Sequence, residues 1–222
     1  MLVKHLARMV PLAALGLLLL SSGARAQATY HVTTNTTGLS SQKGFLDFQF
    51  AKGNAFESLD AFATLTNVVT DGTLDSTSVL NGAASGILPG PASVGNTDPG
   101  GFNDLFQGIT FGNTVSFDVT FTGDAVNALL PSSFGSSFAY TLFAGDGVTA
   151  LNTGPVGAAL VINLDPGAQL SAASYAPTTN GGPAVTATSA APVPELSTSV
   201  TLGLMLVLGG IWVARRRYTV HG

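Results

Sequence analysis

One histidine, eleven carboxylates and no cysteine make up the reactive inventory between residues 29 and 191. The absence of cysteine removes thiol nucleophiles and disulfides together. A Ser–His–Asp relay would have to pass through His31, and no G-x-S-x-G elbow accompanies it. An exposed strand histidine accounts for His31 without catalysis. A zinc site draws on three or four His or Cys ligands, more than this stretch holds. Glycoside hydrolysis needs two carboxyls about 5–10 Å apart across a sugar cleft, and sequence spacing places no pair that way. The single tryptophan, Trp212, lies in a C-terminal apolar run rather than among residues that could platform a sugar. These observations point away from an enzyme.

The segment best suited to a metal is Asn96-Thr97-Asp98-Pro99-Gly100-Gly101-Phe102-Asn103-Asp104. Oxygen side chains around glycines suit calcium, a hard cation that takes six to eight oxygens. Asp98 and Asp104 would be its charged ligands. The spacing departs from D-x-[DN]-x-[DN]-G, and a polar turn closed by Asx hydrogen bonds explains the same composition.

Whatever these side chains do, β-strands must position them. Residues 114–122 alternate without a fault: Val115, Phe117, Val119 and Phe121 on one side, Ser116, Asp118 and Thr120 on the other. Leu46, Phe48 and Phe50 repeat the pattern against Asp47 and Gln49, as do Leu160, Ile162 and Leu164 against Val161 and Asn163. Phe138, Tyr140 and Leu142 fit it too, and residues 62–69 fit it loosely. Period two is the mark of half-buried strands. Asp71-Gly72, Asn81-Gly82, Gly123-Asp124 and Asp146-Gly147 mark turns between them. No sustained helical period falls between the two ends of the chain. The expected fold is all-β, an antiparallel sandwich of jelly-roll type over residues 29–175.

The two ends differ from this body. Residues 1–28 carry Lys4 and Arg8, an apolar run from Val10 to Leu20, and Ala24-Arg25-Ala26-Gln27-Ala28. A basic start, an apolar run and an A-x-A site make a secretory signal peptide, cleavable after Ala26 or Ala28; an uncleaved anchor helix is the alternative. Residues 176–195 hold Pro177, Pro183, Pro192 and Pro194 among Thr, Ser, Gly and Ala, the composition of a flexible linker. Residues 196–222 then give an apolar run containing Val200, Leu202, Leu204, Leu206, Leu208, Ile211 and Trp212, followed by Arg215, Arg216 and Arg217. Eighteen residues from Ser197 to Ala214 make a helix of about 27 Å, close to the bilayer core of about 30 Å. The three arginines resist translocation, which holds the last residues in the cytoplasm. Charge sorts along the same lines. Between the ends, Lys43 and Lys52 face eleven acids, a net charge of −9, and such a surface repels nucleic-acid phosphates.

Val193-Pro194-Glu195, a short Gly/Leu-rich helix and a terminal arginine cluster together resemble the PEP-CTERM sorting signal of Gram-negative bacteria. The core tripeptide here is Pro194-Glu195-Leu196, with leucine where the family usually has a second proline. The resemblance implies export across the inner membrane, recognition at Pro194 and Glu195 by an exosortase-type membrane protease, and a product at the cell surface or outside it, associated with exopolysaccharide. The stretches Gly44-Phe45-Leu46-Asp47-Phe48-Gln49-Phe50, Phe106-Gln107-Gly108-Ile109-Thr110-Phe111-Gly112 and Ser137-Phe138-Ala139-Tyr140-Thr141-Leu142-Phe143 are similar to a class of PEP-CTERM proteins with no assigned activity. The expected function is therefore that of a non-enzymatic surface or matrix protein. The alternative is a carbohydrate-binding sandwich, calcium-dependent through the 96–104 segment, with Phe138, Tyr140 and Tyr175 as its aromatic candidates. Phe138 and Tyr140 fall in the core phase of their strand.

Overall fold

A computed structural model describes residues 28–190, apart from residues 99, 128–133, 166, 168 and 169. The expected signal peptide, save its last residue Ala28, and the expected sorting motif and apolar tail lie outside the described residues. Among the described residues, no helix is long and apolar enough to cross a membrane.

Among the described residues, twelve strands build two antiparallel sheets. In chain order they are β1 (Ala28–Asn35), β2 (Lys43–Lys52), β3 (Phe62–Thr70), β4 (Thr73–Asn81), β5 (Ala84–Gly86), β6 (Ala92–Gly95), β7 (Asp104–Thr110), β8 (Thr114–Thr122), β9 (Ser136–Ala144), β10 (Ala158–Leu164), β11 (Ser171–Ser174) and β12 (Ala184–Ser189). One sheet runs β12-β1-β8-β3-β6-β5 and the other β11-β10-β9-β2-β7-β4. The pairs are nested: β1 with β8, β2 with β7, and β3 with β6. A single helical turn, Asp124–Asn127, follows β8.

The alternation expected from the sequence sets the inward faces. Phe117 and Phe121 of β8 are fully buried, as are Leu46, Phe48 and Phe50 of β2 and Phe138, Tyr140 and Leu142 of β9. Rings then lock one sheet to the other. Phe117 meets Phe48 edge-on at 5.2 Å and Tyr140 at 5.0 Å. Phe121 meets Phe50 at 6.0 Å and Phe138 at 5.6 Å. Each edge-to-face pair adds about 0.5–1.5 kcal/mol beyond its buried area. The Tyr140 hydroxyl, alone among these rings in needing a partner, accepts a hydrogen bond from Thr34 Oγ1 of β1 at 3.4 Å.

Two boundaries move. Ala28, assigned above to the signal, pairs with Phe121 as the first residue of β1. The span 176–195, expected to be a linker without a core, contains β12, which pairs with β1 from Tyr30↔Ser189 to Asn35↔Ala184. Val185 is buried there and Ala187 packs on the core. The physical reason lies in the alternation of Val185 and Ala187 with Thr186 and Thr188, which suits a half-buried edge strand despite its small-residue composition.

A third expectation changes in degree. Asp118 does lie on the outward side of β8, but its side chain is only 24% exposed. It accepts hydrogen bonds from His31 and Asn67, each at 2.7 Å. Phe117→Ala is expected to cost about 3–5 kcal/mol by emptying the inter-sheet core. Asp118→Ala is expected to cost about 1–2 kcal/mol through its two lost partners. Urea denaturation of the two variants checks both values, and equal losses would contradict the inward–outward assignment.

Candidate functional site

His31 is the natural starting point for catalysis, and β1 sets its surroundings. His31 Nδ1 meets Asp118 Oδ1 at 2.7 Å, and Thr33 Oγ1 stands 3.3 Å from His31 Nε2. Asn67, in the left-handed region at φ 52°, donates Nδ2–H to Asp118 Oδ2. The bonds from Asn67 and His31 lower the carboxyl pKa of Asp118. Stability from that shift is present above the unfolded value and lost as pH falls through the folded one. The order Asp–His–Thr is that of a nucleophilic relay. Its setting is not. The His31 side chain is 56% exposed on an open face. β1 pairs with β12 on one side and β8 on the other, so its N–H groups are consumed in two ladders and none is left to hold an oxyanion beside Thr33.

The expected metal segment is used to brace a loop. Asn96 is buried; its Oδ1 accepts from the Ala61 N–H, and its Nδ2 donates to Leu59 O and Ser136 Oγ. Asn103 is buried too; its Oδ1 accepts from the Ala83 and Asp98 N–H groups, and its Nδ2 donates to Phe50 O. Asp98 closes an Asx turn by accepting the Gly100 N–H at 2.6 Å. Asp104 instead begins β7 and accepts from Asn81 Nδ2 at 2.8 Å. The four oxygen side chains thus serve different partners. Among the described residues, no three His, Cys, Asp or Glu side chains gather as a metal cluster.

The outward face of the sheet β4-β7-β2-β9 carries the less ordinary chemistry. Strand register aligns side chains there in rows. One row runs Asn81, Asp104, Gln49, Ala139; the next runs Val79, Phe106, Asp47, Thr141; Phe45 and Phe143 pair in the next. Phe45 and Phe106 stack at 4.6 Å and 18°, and Phe143 joins Phe106 at 5.9 Å. All three rings are half-buried. The chain between β9 and β10 passes over part of this face. The Cα of Gly147 sits where a Cβ would touch Phe45 and Phe106, and that of Gly157 where one would touch Thr141 Cγ2.

That cover leaves Asp47 only 3% exposed. Its Oδ2 accepts from Gln49 Nε2 at 2.6 Å, while its Oδ1 has no hydrogen-bond partner among the described residues. Thr141, directly opposite on β9, is fully buried and its Oγ1 is likewise without a partner. Burial pushes the Asp47 carboxyl up to about 7, the Gln49 bond opposes that, and the charge of Asp104 adds to it. Burial also raises Asp104. Sequence reasoning passed over this group because Asp47 occupies the phase that normally faces water. A signal was present: Phe45 precedes inward Leu46, so one large ring had to point outward.

Of the expected aromatic candidates, Phe138 and Tyr140 are core residues, and Tyr175 packs against Ala139, Ala158 and Val161. Pro194, Glu195, the apolar tail and Arg215, Arg216 and Arg217 lie outside the described residues. No family model matches the chain, and neither curated proteins nor solved structures match it.

Asp47 gives a pH signature in metal-free buffer. Folded, it keeps its proton up to about pH 7; unfolded, it releases it near 3.8. Its contribution therefore falls as pH rises between those values and is constant above both. Asp47→Asn is expected to melt with the wild type near about pH 4 and above it at about pH 8, where the buried charge is fully developed. Thermal denaturation across that range checks it; a gap that does not widen with pH would contradict the assignment.

Proposed function

We propose that this protein is an exported, non-enzymatic cell-surface or matrix component that binds glycan, with exopolysaccharide as its partner. The observation that carries the reading is the ring ladder Phe45, Phe106 and Phe143 on an outward sheet face. Sugar rings present C–H faces that lie against aromatic rings, and their hydroxyls seek amide and carboxyl partners. Gln49, Asn81 and Asp104 border the ladder in the adjoining row. A body with eleven acids against two lysines favours neutral glycans over anionic ones, by like-charge repulsion. The nested pairs of β1 with β8, β2 with β7 and β3 with β6 support a jelly-roll-like description of the sandwich.

Sorting completes the proposal. A signal cleaved after Ala26 exports the body, and the apolar tail halts it, with Val200, Leu202, Leu204, Leu206, Leu208, Ile211 and Trp212 in the bilayer and the three arginines inside. Pro192 and Pro194 keep the chain before the bilayer extended, since the residue before a proline avoids the helical region. Pro194 and Glu195 form the handle for an exosortase-type protease. β12 ends at Ser189, so four residues separate it in the sequence from Pro194.

Two outcomes follow. In glycan-array and affinity-electrophoresis measurements on neutral polysaccharides, the full chain in detergent is retarded, and Phe106→Ala loses about tenfold or more of that retention, a single hot-spot loss of about 1.4 kcal/mol. Asp118→Ala, on the opposite sheet, keeps it; equal retention by Phe106→Ala and wild type would overturn the ladder as the binding face. In a host with its own exosortase, Glu195→Gln accumulates as a full-length membrane form on immunoblots. Wild-type release of that variant would count against recognition through Glu195.

A further inference from the structure

Buried polar groups almost always find a partner, and those that do not call for a ligand, an ion or a chemical role. The outward face of β2, β7 and β9 holds two such atoms in direct register: Asp47 Oδ1 and Thr141 Oγ1. Directly opposed residues on antiparallel strands have Cβ atoms about 4.5–5.5 Å apart, so these two side chains are neighbours on the face. Asp104 stands diagonal to Asp47 on β7, close enough for its charge to act on that carboxyl. Gln49, opposite Asp104 and two residues along from Asp47, brings an amide.

We propose that Asp47, Asp104, Thr141 and Gln49 form a binding site for a hard divalent cation, calcium above others. Two carboxylates balance a divalent charge, the Thr141 hydroxyl adds a neutral ligand, and the Gln49 Nε2–H holds Asp47 Oδ2 in place. Calcium accepts this mixture of oxygens in flexible geometry and completes its shell with water, whereas magnesium demands near-ideal octahedral placement. The chain has no cysteine, and among the described residues no histidine lies beside these side chains, so softer metals find no preferred donor there. The site takes only Asp104 from the 96–104 segment, whose Asn96, Asn103 and Asp98 are occupied in bracing. It shares Gln49 and Asp104 with the border of the proposed glycan face but does not depend on glycan or on ring stacking, so glycan binding can fail while calcium binding holds.

A bound cation would serve the structure plainly. It would neutralise two buried carboxylates, give both orphan atoms a partner, and tie the central strand β2 to its two neighbours. The adjacent Phe106 and Phe45 rings and the segment between β9 and β10 close the site, which slows exchange with solvent.

Equilibrium dialysis of the full chain in detergent against calcium is the direct test, with melting temperature as a second readout. The expected result is one calcium per chain, a melting temperature that rises with calcium and falls back in EGTA, and a weaker response to magnesium. Asp47→Asn and Asp104→Asn each lose about tenfold or more in affinity, Thr141→Val weakens it while melting like the wild type in EGTA, and Asp98→Asn binds as the wild type does. Absence of bound calcium in the wild type overturns the proposal, as does calcium retained by both Asp47→Asn and Asp104→Asn. Loss confined to Asp98→Asn also overturns it by moving the site to the loop.

Discussion

Phe117 reaches from β8 across the sandwich to touch both Phe48 and Tyr140, and most other features of the body depend on that contact. It joins the central strand of one sheet to the central pair of the other. Because a side-chain period of two cannot slip without turning every residue over, fixing Phe117 inward also fixes Asp118 outward. The same holds for β2, where Phe48 inward forces Asp47 and Gln49 outward. The chemistry on both outer faces is therefore a consequence of core packing. A sandwich without disulfides has little else to hold it, and interlocked rings supply the rigidity that cross-links would give elsewhere.

The two outer faces then diverge for a reason of cover. On the β1–β8 side His31 is exposed and Thr33 and Asp118 partly so, so their hydrogen bonds compete with water and the charges are screened. On the β2–β9 side, the chain between β9 and β10 folds back, and three phenylalanine rings pack beside the carboxylate. An outward aspartate there, 3% exposed, is drier than inward Tyr30 and Val185. Desolvation, more than any single partner, is what makes Asp47 and Asp104 unlike the other described acids. The lone donor to Asp47, Gln49, leaves half of that carboxylate unanswered.

Loop 96–104 illustrates how composition and role can part. Its oxygens and glycines suit a cation, and the fold spends them on backbone instead. Asn96 and Asn103 satisfy N–H and C=O groups of four separate segments that would otherwise be buried without partners. Polar residues at such a crossing are structural currency before they are ligands.

The sequence by itself determined the all-β class, the inward phase of β2, β8, β9 and β10, and the turns at Gly82, Gly123 and Gly147. Each follows from strictly local rules: alternation, β-branched and aromatic content, and residues that tolerate a left-handed backbone. It also separated a charge-poor body from a basic, apolar start and a basic, apolar end. Tertiary structure alone decided which outward residues lose water. Asp47 and Asp118 occupy the same phase in similar strands, and only the chain folded over one of them distinguishes the two. It alone decided the place of residues 184–189, whose small side chains look like linker until β1 offers an edge to pair with. It alone brought Asp47, Asp104 and Thr141 to adjoining positions, from segments nearly a hundred residues apart in the chain. Local pattern fixes which way a residue points, while burial depends on what the rest of the chain places above it, and no short window of sequence contains that information.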